Sequence, residues 1–224
     1  MPTTFLSVPL GARIFILRIL AAVGSAAIFG LVATSTSAGI SLIPAVFVAF
    51  LFGTAFVGGT GYRIIRSVFT SEHIASPASW SGAAAASAIA CLLALALWTR
   101  TMDHAARVML GYTLAINFAY LAVKASCALA GCCHAEVRIA HRTFGLRAVE
   151  LTITLILLAL VSLLSLLDFW LAAFAGLAGH TALRFYSRAK RCRRATGWPP
   201  LRQPGAELAP LQLLSLLALV GFLS

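Results

Sequence analysis

The sequence predicts an all-α, polytopic integral membrane protein of about seven transmembrane helices. Three observations point there. Of the 224 residues, 61% are hydrophobic and 10% charged, with a mean hydropathy of +0.96, whereas a soluble domain is usually about half apolar and about a quarter charged. The apolar residues fall in runs of roughly 20, the length of one crossing. Seventeen Lys and Arg residues stand against six acids for a formal charge of +11, and they gather between those runs, where bases attract anionic headgroups and bias topology. A single membrane domain accounts for residues 1–224. Nucleic acid is not an expected partner, because that would need a soluble basic face with polar and aromatic contacts.

The first span is expected at about 14–33, IFILRILAAVGSAAIFGLVA, with Arg13 and Arg18 snorkelling to the interface. A signal peptide is the competing reading, since ATSTSA follows like a cleavage site, but roughly 20 apolar residues are too many for its apolar region. The second span, 38–57, stops at GGTGYRIIRSVF; the stretch up to Trp80 holds Glu72, His73 and Pro77 and reads as an interfacial loop. Small residues (SGAAAASAIA) open the third span, 81–99, which their close approach makes central to the bundle. The fourth, 106–130, carries Asn117, Tyr120, Lys124, Ser126 and Cys127 and runs into the polar segment GCCHAEVRIAHRTFGLR. The fifth, 150–167, has Glu150 at its start, and Asp168 marks a tight turn into the sixth, 169–186. A basic loop follows, RAKRCRRATGWPPLRQPGAE, whose prolines and glycines interrupt helix. The seventh span is 208–224.

Polar residues at helical spacing carry the candidate chemistry. Lys124, Cys127 and Gly131 fall at i, i+3 and i+7 on one face. A lysine at mid-depth costs at least about 2.5 kcal/mol on insertion scales, so Lys124 either snorkels or faces a polar site. Cys127, Cys132 and Cys133 have four readings: metal ligands, nucleophiles, a redox pair or packing residues. Their C-x4-CC-H spacing lacks the second pair of a zinc site, and no metal or cofactor is expected. A redox pair requires Gly131 to break the helix, since residues five apart along it are beyond disulfide reach. His180, Arg184 and Arg188 recur every four residues as one polar stripe. An arginine fork suits phosphate, so Arg184 with His180 reads as part of a site, and Arg188, Lys190, Arg191, Arg193 and Arg194 as a membrane-surface flank. Glu150, expected at a helix N-terminus where the dipole favours a carboxylate, has Arg147 and Arg184 as candidate partners.

Four segments occur in an order that resembles the bacterial prolipoprotein diacylglyceryl transferase family, in its shorter, cysteine-containing branch. They are SWSGAAAA, KASCALAGCCHA, GLRAVELTITLILLAL with ALRFYSRAKR after it, and LAPLQLLSLLALVGFL, covering roughly residues 79–224. The resemblance implies a seven-span enzyme of the bacterial inner membrane that moves a diacylglyceryl group from phosphatidylglycerol, an anionic phospholipid, to the cysteine thiol of a prolipoprotein. It assigns catalytic roles to Lys124, Cys127, Cys132, Glu150 and Arg184, and substrate contacts to Trp80, Ser81, Cys133, His134, Arg147 and His180. The chain departs from the family in four places: Trp80 and Ser81 replace a His-Gly-Gly motif, Lys124 an arginine, Arg188 a glutamate and Ala135 a glycine. Counting bases puts the loops near 58–80, 131–147 and 187–207 in the cytoplasm, whereas the family places them outside, and the expected orientation follows the family. Two other classes fit the same residues: a membrane thiol redox protein using the three clustered cysteines, and a non-catalytic lipid- or metal-handling membrane protein.

Overall fold

The computed structural model describes residues 10–36, 39–40, 42–60, 80–99, 101–129, 136–139, 142–195 and 208–224. Among the described residues there are seven α-helices: α1 (Leu10–Ala33), α2 (Leu42–Thr60), α3 (Trp80–Trp98), α4 (Met102–Leu129), α5 (Leu146–Leu164), α6 (Phe169–Ala195) and α7 (Leu208–Leu223). Two short antiparallel strand pairs accompany them among the described residues. One pairs β1 (Ser35–Thr36) with β2 (Gly39–Ile40), and the other pairs β3 (Glu136–Ile139) with β4 (Arg142–Gly145), with Val137 opposite Phe144. Four helical stretches are long and apolar enough to cross a membrane: Ala12–Ala33, Leu42–Gly59, Met102–Leu129 and Leu146–Leu164. Shorter apolar helices cover Gly82–Ala96 and Ala209–Leu223.

Several element boundaries differ from the sequence expectation; α1 starts at Leu10, α2 at Leu42 and α4 at Met102. α5 begins at Leu146, because β4 of the second hairpin leads directly into it; Glu150 therefore lies a turn inside the helix and does not open it. α6 runs on to Ala195, through Arg188, Lys190, Arg191, Arg193 and Arg194. Arginine and lysine are good helix formers, and no glycine or proline interrupts until Gly197. The polar segment after α4 contains a hairpin, with Val137 buried beneath it. Asp168 does sit at the expected turn, where its Oδ1 accepts a 2.7 Å hydrogen bond from the Leu171 amide and caps α6.

The central helix is α4, not α3. Val108, Met109, Tyr112, Ala115, Ile116 and Ala119 are buried on several sides of α4, the pattern of a helix enclosed by neighbours. By contrast α3 buries Ala83, Ala84, Ala88 and Cys91 but exposes Ile89 and Leu93. α1, α2, α5 and α7 each turn large apolar side chains outward, among them Phe15, Phe50, Ile156 and Leu216. Close backbone approach at two glycines sets the geometry that follows. A Cβ on Gly176 of α6 would collide with the Thr113 methyl of α4 and lie 2.6 Å from Cγ2 of Val161 of α5. On α2, a Cβ on Gly59 would strike the Gly82 carbonyl, so the start of α3, where Trp80 stands, lies directly against the end of α2.

Candidate functional site

Helical spacing aligns the central residues before any tertiary contact forms. Asn117, Tyr120 and Lys124 fall at i, i+3 and i+7 of α4 and share one face; His180 and Arg184, at i and i+4, share one face of α6. The tight seat of Gly176 places that face of α6 against that face of α4. α5 adds Glu150 and α3 adds Trp80.

The result is a buried polar cluster around the Tyr120 ring. Lys124 Nζ is 2.8 Å from Glu150 Oε2. The Tyr120 hydroxyl donates to Glu150 Oε1 at 2.9 Å and accepts from Arg184 Nη1 at 3.5 Å. Both cations also lie near the Tyr120 ring, Lys124 Nζ 4.9 Å and Arg184 Cζ 5.3 Å from its centroid, within cation–π range. His180 Nδ1 lies 3.0 Å from Asn117 Oδ1, and Asn117 Nδ2 donates to the Thr113 carbonyl at 2.9 Å. Trp80 and His180 each pack on Tyr120 with centroids 5.1 Å apart. Glu150 and His180 are 0% exposed and Lys124 and Arg184 5% exposed.

Charge decides what such a site can hold. Lys124 and Glu150 compensate one another; Arg184 brings a second positive charge against the same single carboxylate among the described residues of the cluster. Burying charge is costly unless it is paired and hydrogen-bonded. A guanidinium beside an ammonium suits anionic oxygens such as those of phosphate.

Of the expected site residues, Lys124, Glu150, Arg184, His180 and Trp80 come together here. Of the two readings of Lys124, the structure has the polar one: its ammonium turns inward to Glu150 of α5. Glu150 pairs with Lys124. Arg147 is half-buried and its Nη1 donates to the Ala128 carbonyl at 3.4 Å. That contact brings it to the carbonyl end of α4. Cys127 lies one turn beyond Lys124 and is partly exposed. Cys132, Cys133 and His134, and the side chain of Ser81, lie outside the described residues. Among the described residues, no three His, Cys, Asp or Glu side chains are grouped to hold a metal ion.

Two central members, Tyr120 and Asn117, were not assigned roles from sequence. Their signal was present in the spacing that places Asn117, Tyr120 and Lys124 on one face of an apolar helix. Comparison of the chain with protein-family models, with curated proteins and with solved structures finds no match in any of the three.

Proposed function

We propose that the chain is an integral membrane transferase that crosses the bacterial inner membrane seven times. Its reaction moves the diacylglyceryl group of phosphatidylglycerol to a cysteine thiol on a lipoprotein or a comparable acceptor. The observation that carries this reading is the meeting of Lys124, Glu150 and Arg184, from three separate helices, around Tyr120 in a buried cluster. The four apolar helices of crossing length, the two shorter apolar helices and the apolar first half of α6 supply the spans.

The chemistry follows from the charges. The phosphodiester of the lipid is anionic, and Arg184 offers it a planar fork while Lys124 offers a point charge. When the acceptor sulfur bonds to the glyceryl carbon, the carbon–oxygen bond to phosphate breaks and its electron pair leaves on the phosphate oxygen. Prepositioned cations in a site of low dielectric stabilise that developing charge most. Glu150 and the Tyr120 hydroxyl hold the cations in place, so they need not reorganise during the step.

Purified protein incubated with phosphatidylglycerol vesicles and a peptide carrying a lipobox cysteine should release glycerol phosphate and yield a peptide heavier by one diacylglyceryl group. No release, under conditions where an active transferase releases it, overturns the reading. Seven crossings put reporters placed ahead of α1 and behind α7 on opposite faces of the membrane. Reporters on the same face would count against that number.

A further inference from the structure

Two buried nitrogens of the cluster, His180 Nε2 and Trp80 Nε1, have no hydrogen-bond partner among the described residues. Their polarity follows from a short chain of contacts. The Thr113 carbonyl can only accept, so Asn117 meets it with Nδ2 and turns Oδ1 toward His180. The amide oxygen also only accepts, so the imidazole proton sits on Nδ1. His180 is fully buried and packs on the ring that Lys124 and Arg184 also approach, so the form that fits is the neutral one, with a lone pair on Nε2. The indole nitrogen of Trp80, by contrast, can only donate.

An unmet acceptor thus stands near an unmet donor, with ring centroids 6.3 Å apart and planes inclined by 40°. Leaving either group unpaired in a buried site is unfavourable. One ligand group that both donates and accepts, a thiol or a hydroxyl, answers both. We propose that His180 Nε2 is the proton acceptor for the incoming thiol, that Trp80 Nε1–H donates to the same sulfur, and that Asn117 is the positioning residue that sets the tautomer. This inference rests on the transferase reading and names the base which that reading leaves unassigned.

The step balances. The S–H proton passes to His180 Nε2, and the sulfur electron pair forms the bond to the glyceryl carbon. The carbon–oxygen bond breaks, and its electron pair leaves on the phosphate oxygen beside Arg184 and Lys124. The imidazolium then returns its proton to the departing glycerol phosphate or to water. Trp80 stabilises the sulfur charge as the proton leaves.

The test has a spectroscopic arm and a kinetic one. Full-length protein carrying 15N-histidine, in phosphatidylglycerol nanodiscs, should give a His180 signal with a protonated Nδ1 and a bare Nε2, assigned by its disappearance in His180→Gln. Asn117→Leu should weaken that tautomer preference. A protonated Nε2 in the wild type overturns the proposal. In the transfer assay, His180→Gln should lower kcat by about 100-fold or more, the usual reach of general-base catalysis, while phosphatidylglycerol binding stays unchanged. The deficit should shrink for acceptor thiols more acidic than cysteine, which arrive ionised and need no base. An equal deficit for every thiol indicates a structural role and overturns the base assignment. A fully active His180→Gln sinks this inference alone; a wild type that transfers nothing sinks the transferase reading with it.

Discussion

Lys124 Nζ and Glu150 Oε2 are 2.8 Å apart in a place where neither residue is more than 5% exposed. This contact joins α4 to α5 within the central cluster. It also makes the two residues interdependent, since either charge alone would be buried without its partner.

Removing the ammonium in Lys124→Met should therefore destabilise the folded protein by about 3–5 kcal/mol, the usual cost of orphaning a buried charge. Adding Glu150→Gln to Lys124→Met should recover a large part of that loss. Thermal unfolding of the two single variants and the double variant in the same detergent measures the coupling. Additive losses would show that the two charges do not support one another.

Tyr120→Phe deletes the hydroxyl that donates to Glu150 and accepts from Arg184, while leaving the ring for both cations. A hydrogen bond to a charged group contributes about 1.5–3 kcal/mol, so a loss in that range is expected. Tyr120→Ala removes the ring contacts as well and should cost more. Equal midpoints for Tyr120→Phe and wild type in a denaturant titration would contradict the role given to the hydroxyl.

Gly176→Val should separate α6 from α4, because the added atoms meet Thr113 and Val161. Overpacking of this kind costs typically about 1–3 kcal/mol, and it should also loosen the contact of His180 with Asn117. The control is Gly58→Ala on α2, where an added Cβ meets nothing within 4 Å. Alanine there should be neutral or stabilising by up to about 1 kcal/mol through helix propensity. Similar losses at both positions would argue against a tight seat at Gly176.

Arg184 and Arg193 are both on α6, and Arg184 Nη1 donates to the Tyr120 hydroxyl. Arg184→Ala should lower glycerol phosphate release by about 100-fold or more, as loss of one prepositioned donor to a developing oxyanion does. Arg193→Ala should change it less than about twofold, since Arg193 stands more than two helical turns beyond Arg184 along α6. Rates measured side by side decide the matter, and equal rates would remove Arg184 from the site.

Much of the helical frame is legible in the residues themselves. Apolar runs at 14–33 and 208–224 foreshadow α1 and α7, and the run at 38–57 foreshadows α2 except at its start, where Gly39–Ile40 form β2 and the helix begins at Leu42. Asp168 and the same-face spacing of Asn117, Tyr120 and Lys124 are local features, and local features survive folding. The extension of α6 through its bases was less legible, since the prolines and glycines beyond Ala195 invite an earlier stop while arginine and lysine favour continuing.

What a residue meets across the bundle is a different matter. By itself the sequence determined that Lys124, Glu150, Arg184 and His180 sit on apolar helices, where charge and polarity need an explanation. Only the tertiary structure decided that Lys124 turns inward to Glu150, that Arg147 reaches the end of α4, and that Tyr120 stands between the two cations. The reason is physical. Hydrophobic periodicity acts over a few residues of one helix, whereas the partner of a buried charge is chosen by how closely two helices approach. Here that approach is set at Gly176, where a hydrogen stands in place of a side chain.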